Sequence, residues 1–386
     1  MRVLAITKDT FILRQVRLAQ PLLNLRRQGL VADFWVTDPT LFDVPQDFVF
    51  NAVWVQKVDD AGLLEHLAER LEGRFLYDLD DNLLARAAYR GQDLVNREGV
   101  KLGVRLCGVL AVTSARLAAL LERYAGVSLE GRVAVCPNGG EFQEGLRAPA
   151  PPRGLLFTSS DALALTSSAA PVLSAVGAFA RRHRLPIYCF GWRPEALRAH
   201  WPDPVYLGLV PYWHYQALLA SLPACVGIAP LETAADPETL DFINGKSDVK
   251  MVEFGGHGHP AVYSQAPPYA DTDLAAGMLA PNTREAWEEA LEEVLREGWR
   301  RSAEEQARVR QQRHMNRIAR ECWHPALARV RLPRPMRGAR LKPARGLLGL
   351  AGSALRHLVY QQDYRAMKRL QARLPDWVRN LARRWY

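Results

Sequence analysis

Nowhere in the 386 residues is there a run of about 18 apolar residues, the length a helix needs to span a bilayer, so no membrane-spanning segment is expected. Cysteine is scarce: Cys107, Cys136, Cys189, Cys225 and Cys322 are odd in number, scattered, and form no Cys-x-x-Cys pair. That spacing argues against a disulfide framework and against a thiolate zinc site, and it suits a reducing cytoplasm. The opening MRVLAITKDT turns polar after a short apolar run, which does not read as a signal peptide. Internal repeats and low-complexity tracts are missing as well. What is present is the composition of a globular protein, 48% hydrophobic and 24% charged, which excludes wholesale disorder. The length exceeds one ordinary core, and about two domains are expected.

Charge is unevenly placed along the chain. The formal +9 conceals a segment, residues 329–386, with 15 Lys/Arg against 2 Asp/Glu; that net +13 leaves about −4 for the other 328 residues. Within it, RLPRPMRGARLKPARG reads as a basic connector punctuated by Pro and Gly. Met367, Leu370, Leu374, Trp377, Leu381 and Trp385 then recur at steps of three and four, one apolar stripe of a helix, with Pro375 at a restart. Arg365, Lys368, Arg369, Arg373, Arg379, Arg383 and Arg384 fill the other faces. Such a helix binds anionic lipid surfaces, each basic residue contributing about 1 kcal/mol. Docking on a protein partner or on the N-terminal domain is the alternative. Nucleic acid is not the expected partner, because aromatic-basic interleaving on a helix is no nucleic-acid motif by itself.

The N-terminal half alternates short apolar runs (RVLAIT, ADFWVT, AVWVQ, RFLYD, VLAVT, RVAVC) with helical patterns such as AGLLEHLAERLE and SARLAALLERY, the latter opened by Ser114 as N-cap. Strands separated by helices imply right-handed βαβ units and a mostly parallel sheet. A proline-rich break, RAPAPPRG at 147–154, reads as a linker. The alternation then restarts with GLLFTSS, LPIYCFG, PACVGIAPL and HPAVYS, interleaved with APVLSAVGAFARRH, YWHYQALLASL and REAWEEALEEVLREG. The expected architecture is α/β: two doubly wound, Rossmann-like domains, 1–150 and 151–325, facing across a cleft, and a basic helical tail, 326–386. Ligands of such sheets bind at the C-terminal ends of the strands.

One segment carries most of the chemistry: FINGKSDVKMVEFGGHGHPAVYSQAPPYAD, residues 242–271. Its Gly-Lys-Ser is not the phosphate loop of nucleotide hydrolases, which needs a glycine five residues before Gly245, where Leu240 stands. Another arrangement follows from the same physics. Ser247 caps a helix with Asp248 in its first turn and VKMVEF as its body, and unpaired N–H groups at such a start favour anions. Lys246 adds a full positive charge there, and Glu253, two turns on, accepts hydrogen bonds from a pair of hydroxyls. Together these suit a diphosphate joined to a ribose, as in a nucleotide-sugar.

This segment resembles the donor site of retaining GT-B glycosyltransferases of the family-4 type. Three further pieces resemble that family in order: YLGLVPYWHYQALLASLPACVGIAPLE, VLAVTSARLAALLERY with VAVCPNGGEF, and RFLYDLDDNLL. The likeness covers residues 1 to about 325. It implies a hexosyltransferase-type enzyme of polysaccharide biosynthesis, cytoplasmic or peripheral at the inner membrane face. A sugar would pass from a nucleoside-diphosphate donor to a glycan or lipid-linked hydroxyl with retention. Glu253 would bind the ribose and Lys246 the diphosphate, helped by Ser247 and Asp248. Asp80 or Asp81 would position acceptor or sugar from the opposite wall, and Asp78 less so. No cofactor beyond the donor substrate, and no metal, is implied.

The departures from the pattern are specific. Gly245 stands where the family commonly has an acid, eight positions before the conserved Glu. Thr158 and Ser159, in Thr158–Asp161, replace the usual glycine loop, and Arg193 is the one candidate for the mid-domain basic pair. A non-catalytic scaffold of the same fold, or a membrane-surface adaptor acting through the tail, is therefore the alternative reading. Tyr212, in the aromatic run Tyr212–Tyr215, either stacks on a base or packs in the core, and Tyr269 is a candidate neighbour of the donor. His257 and His259 lack a third metal ligand and are expected to line the turn and to pack.

Overall fold

The computed structural model describes residues 1–8, 14–39, 42–85, 95–159, 169–191, 195–201, 203–208 and 210–341. The stripe from Met367 to Trp385, Arg193 and Asp161 therefore lie outside the described residues. The chain divides into two compact units: Met1–Leu79, Gly91–Cys136 and the chain from Ala319 onward form one, Asp80–Arg90 and Pro137–Ile318 the other.

The first unit is built on strands β1 (Arg2–Thr7), β2 (Asp33–Thr37), β4 (Ala52–Gln56), β5 (Leu76–Leu79), β6 (Val109–Val112) and β7 (Val133–Val135), with a short β3 (Val49–Phe50) outside the main sheet. They pair in the order β2-β1-β4-β5-β6-β7, all in parallel. Every residue of β4, β5 and β6 is buried. This is why these strands read as unbroken apolar runs: a parallel sheet is covered on both faces. Among the helices that accompany them are α1 (Gln20–Arg27), α2 (Ala61–Leu71), α3 (Arg97–Leu106) and α4 (Ala115–Ala125). Ser114 caps α4 as the sequence predicts, accepting from the Leu117 N–H at 3.2 Å; Asp60 and Asn96 cap α2 and α3 likewise.

A buried ion pair fastens this unit. Arg17, 1% exposed, donates from Nη2 to Asp78 Oδ1 at 2.5 Å, from Nε to Oδ2 at 3.3 Å, and from Nη1 to the Cys136 carbonyl at 2.5 Å. Its guanidinium lies 4.6 Å from the centroid of Trp323, which in turn stacks on Trp54 at 4.2 Å. The segment around Trp323 is thereby held on the sheet. Beyond the helix His324–Arg329, the expected connector is partly ordered structure instead. Strand β14 (Met336–Arg337) pairs antiparallel with β3, and Leu341 is fully buried. Pairing with β3 gives those backbone groups partners that the sequence pattern does not display.

The second unit contains β8 (Leu155–Ser159), β9 (Ile187–Gly191), β10 (Val205–Gly208), β11 (Val226–Ala229), β12 (Ala261–Ser264) and β13 (Met278–Ala280), parallel in the order β10-β9-β8-β11-β12-β13. This is the doubly wound order, with its reversal point between β8 and β11. Its longer helices are α5 (Ala170–His183), α6 (Tyr212–Ser221), α7 (Pro237–Asn244), α8 (Val249–Gly256), α9 (Arg284–Arg296) and α10 (Ser302–Arg313). Phe157, Phe179, Trp201 and Trp287 centre one core. The linker at 147–153 has neither helix nor strand. Its first residue, Arg147, donates to the carbonyls of Leu219, Ala220 and Leu222, closing the C-terminal end of α6.

Candidate functional site

The segment singled out in the sequence forms α7, a turn, α8 and β12 of the second unit. Asp236 opens α7, accepting from the Thr239 N–H at 3.0 Å, with Pro237 at the first helical position. The turn at 245–248 follows. Here one expectation is corrected: Ser247 is not the helix cap. Asp248 occupies the cap position, α8 starts at Val249, and no side chain caps it. The Ser247 hydroxyl instead accepts from Asn138 Nδ2 at 2.9 Å. The Asp248 carboxylate is engaged too, with Arg313 at 3.0 Å and the Thr272 hydroxyl at 2.5 Å; Arg313 also binds Asp273 and holds that carboxyl below the ordinary range. Asp248 therefore ties the turn to α10.

Packing leaves no room for a side chain at position 245. A Cβ there would stand 2.8 Å from Asn82 Cβ and 3.2 Å from its backbone nitrogen. An acidic side chain needs space that the segment following β5 has taken. The same segment brings Asp81 Oδ1 to 3.9 Å from Lys246 Nζ, and the lysine also lies 4.5 Å from the Phe242 ring centroid. Asp80 is buried. Both aspartates group with the second unit rather than with the sheet they follow in sequence. Asp78, one position before the end of β5, belongs to the Arg17 pair described above.

Glu253 is 7% exposed on α8. Its Oε2 accepts from the Tyr215 hydroxyl at 2.8 Å and from Lys250 Nζ at 2.7 Å. Its Oε1 accepts no hydrogen bond among the described residues, yet is not sealed from solvent. Burial, then the Glu253 charge, pushes the Tyr215 hydroxyl well up in pKa, so it stays a donor. Tyr212, three residues earlier on the same helical face, is buried with it, while Trp213 points elsewhere and is 46% exposed. Tyr269 is buried 4.9 Å from the Tyr263 ring; burial raises its pKa, with Glu253 and Asp248 as further causes. Thr158 is buried at the C-terminal end of β8, where Ser159 is half-buried.

Both histidines of the His-x-His are inside. His257 Nε2 lies 2.8 Å from Gln216 Oε1, and burial lowers its pKa to about 4. His259 accepts from the Cys225 N–H at 3.2 Å and donates to the Leu219 carbonyl at 2.9 Å; burial takes its pKa to about 3. Among the described residues no group of three His, Cys, Asp or Glu side chains could hold a metal, and no helix is long and apolar enough to cross a membrane. The sequence offers Tyr215 only as a stacking or core residue of its aromatic run; its bond to Glu253, like that of Asn138 to Ser247, spans a long sequence separation. Lys250 is visible as part of the motif but without a role. Glu232 is buried just beyond β11 at the reversal point of the sheet.

No family model matches this chain, and no curated protein does. Solved structures do. HepE of Anabaena, crystallised in complex with UDP and glucose, is similar with a TM-score of 0.56 at 14% identity, over 83% of this chain and 98% of that one. A Listeria monocytogenes protein assigned as a UDP-N-acetylglucosamine 2-epimerase gives 0.51 at 11% identity, over 83% and 94%. With its two parallel six-stranded sheets, this chain has the GT-B fold, two Rossmann-like α/β domains, as the sequence implied.

Proposed function

We propose that this protein is a glycosyltransferase that moves a sugar, with retention, from a nucleoside-diphosphate donor to a hydroxyl of a glycan or lipid-linked acceptor. The observation that carries the reading is Glu253: a nearly buried carboxylate, fixed through one oxygen, that leaves the other open to an incoming hydroxyl. It stands on the helix after the turn that bears Lys246, so a ribose on Glu253 brings its diphosphate toward that lysine and the uncapped start of α8. Charge developing on the leaving diphosphate would be met there, without a metal. Lys246 would exchange its contact with Asp81 for the donor, leaving Asp81 to orient the sugar or the acceptor. That HepE, of the same fold, was crystallised with UDP and glucose supports a UDP-sugar as the first donor to test.

Stabilisation on binding follows affinity, about 2.7 kcal/mol at a ligand concentration 100 times Kd. A thermal-shift screen of nucleoside diphosphates and their sugars should raise the Tm of the wild type with at least one of them. Glu253→Ala should lose at least tenfold in affinity for that ligand. A wild type that no nucleotide stabilises, or a Glu253→Ala variant that binds as well as the wild type, would sink the reading.

A further inference from the structure

The carboxylate of Glu253 is held asymmetrically. A carboxylate oxygen has room for about two donors. Oε2 already has two, the Tyr215 hydroxyl and the Lys250 ammonium, whereas Oε1 has none among the described residues. The two donors arrive from different directions. Lys250 precedes Glu253 by three residues on α8 and so shares its face. Tyr215 comes from α6, and its ring is fixed edge-on against Phe190, with centroids 5.2 Å apart at 82°.

We propose that Lys250 and Tyr215 are positioning residues, a two-armed clamp that turns Glu253 so that Oε1 alone receives the ribose hydroxyls of the donor. The proposal rests on the glycosyltransferase reading and adds to it the groups that prepare the carboxylate. Without the clamp, the side chain regains rotamers and each binding event must freeze it again. Lys250 is the one cation bonded to Glu253 among the described residues.

Calorimetric titration with UDP and with uridine tests this in the full chain. Lys250→Met should weaken both ligands about tenfold, and Lys250→Arg should restore the wild-type affinity for both. Tyr215→Phe should weaken both ligands by a similar factor. Should Tyr215→Phe fail to fold, the lysine series still decides. A Lys250→Met variant that keeps wild-type affinity overturns the clamp. So does a loss seen for UDP but not uridine, which would make Lys250 a phosphate ligand. A wild type that binds neither ligand, nor any other nucleoside diphosphate of the thermal-shift screen, removes the glycosyltransferase reading on which the clamp stands, an outcome distinct from a failure confined to the variants.

Discussion

Asp78 and Asp81 stand three residues apart and serve opposite ends. Asp78 lies inside the sheet, opposite Gln56 of β4 and Ala111 of β6, and neutralises a guanidinium with almost no access to water. Asp81 is past the strand, near Lys246 and partly in contact with solvent. In sequence both are acids near a strand end, with Asp78 the weaker site candidate; strand register sets their surroundings apart. Removing one member of a buried pair leaves the other charge uncompensated, at a cost of about 3–5 kcal/mol. Asp78→Ala should therefore lower the unfolding free energy by that amount, whereas Asp81→Ala should change it by less than about 1 kcal/mol. Urea denaturation of the two variants checks this, and equal losses would refute the distinction.

Between elements, the junction of α6 with the end of α8 is pinned by His257 and His259, which bond Gln216, Leu219 and Cys225. Their folded pKa values, about 4 and about 3, lie below the ordinary 6.5. The unfolded chain therefore takes up protons first as the pH falls. The stabilisation is fully present above about pH 6.5 and is lost on acidification toward the folded values. Linkage puts the loss between pH 7 and pH 5 on the order of 2 kcal/mol for each histidine. Denaturation midpoints should drop over that window, and a His257→Gln, His259→Asn double variant should flatten the drop; an unchanged slope would show that other groups cause it. The same region shows what the sequence could reveal. Helices α5, α6 and α9 were legible because their apolar periodicity is local, and central strands because burial on both faces makes them unbroken apolar runs. Strand β13, Met278–Ala280, was not, since it is short and only partly buried. The cap falls at Asp248 and not at Ser247 because a cap depends on where the chain bends after α7, which no local signal fixes. Glu253 and Lys246 are candidates from motif spacing; the bond of Tyr215 to Glu253, across 38 residues, has no local signal.

At the scale of the whole molecule the charge is divided along the chain: +13 after residue 328 and about −4 before it. The fold refines where the division should be tested. Residues up to Leu341 belong to the first unit: Val330 and Leu341 are buried, the Leu332 N–H donates to the Asn51 carbonyl at 2.8 Å, and β14 pairs with β3. Cutting at residue 330 would strip that packing and confuse unfolding with loss of binding. A chain ending at Leu341 keeps every contact described and removes Lys342–Tyr386, with 10 Lys/Arg against 2 Asp/Glu and the stripe from Met367 to Trp385. If that stripe lies in an anionic interface, each basic residue near the surface contributes about 1 kcal/mol, and the attraction weakens as salt screens it. In flotation with vesicles containing phosphatidylserine, the full chain should rise with the lipid at low salt and detach as salt increases. It should ignore vesicles of phosphatidylcholine alone, and the 1–341 chain should stay in the dense fraction with either lipid. Equal flotation of the two chains would place membrane attraction elsewhere. Flotation of neither would leave the tail to a protein partner, the alternative its apolar stripe also suits.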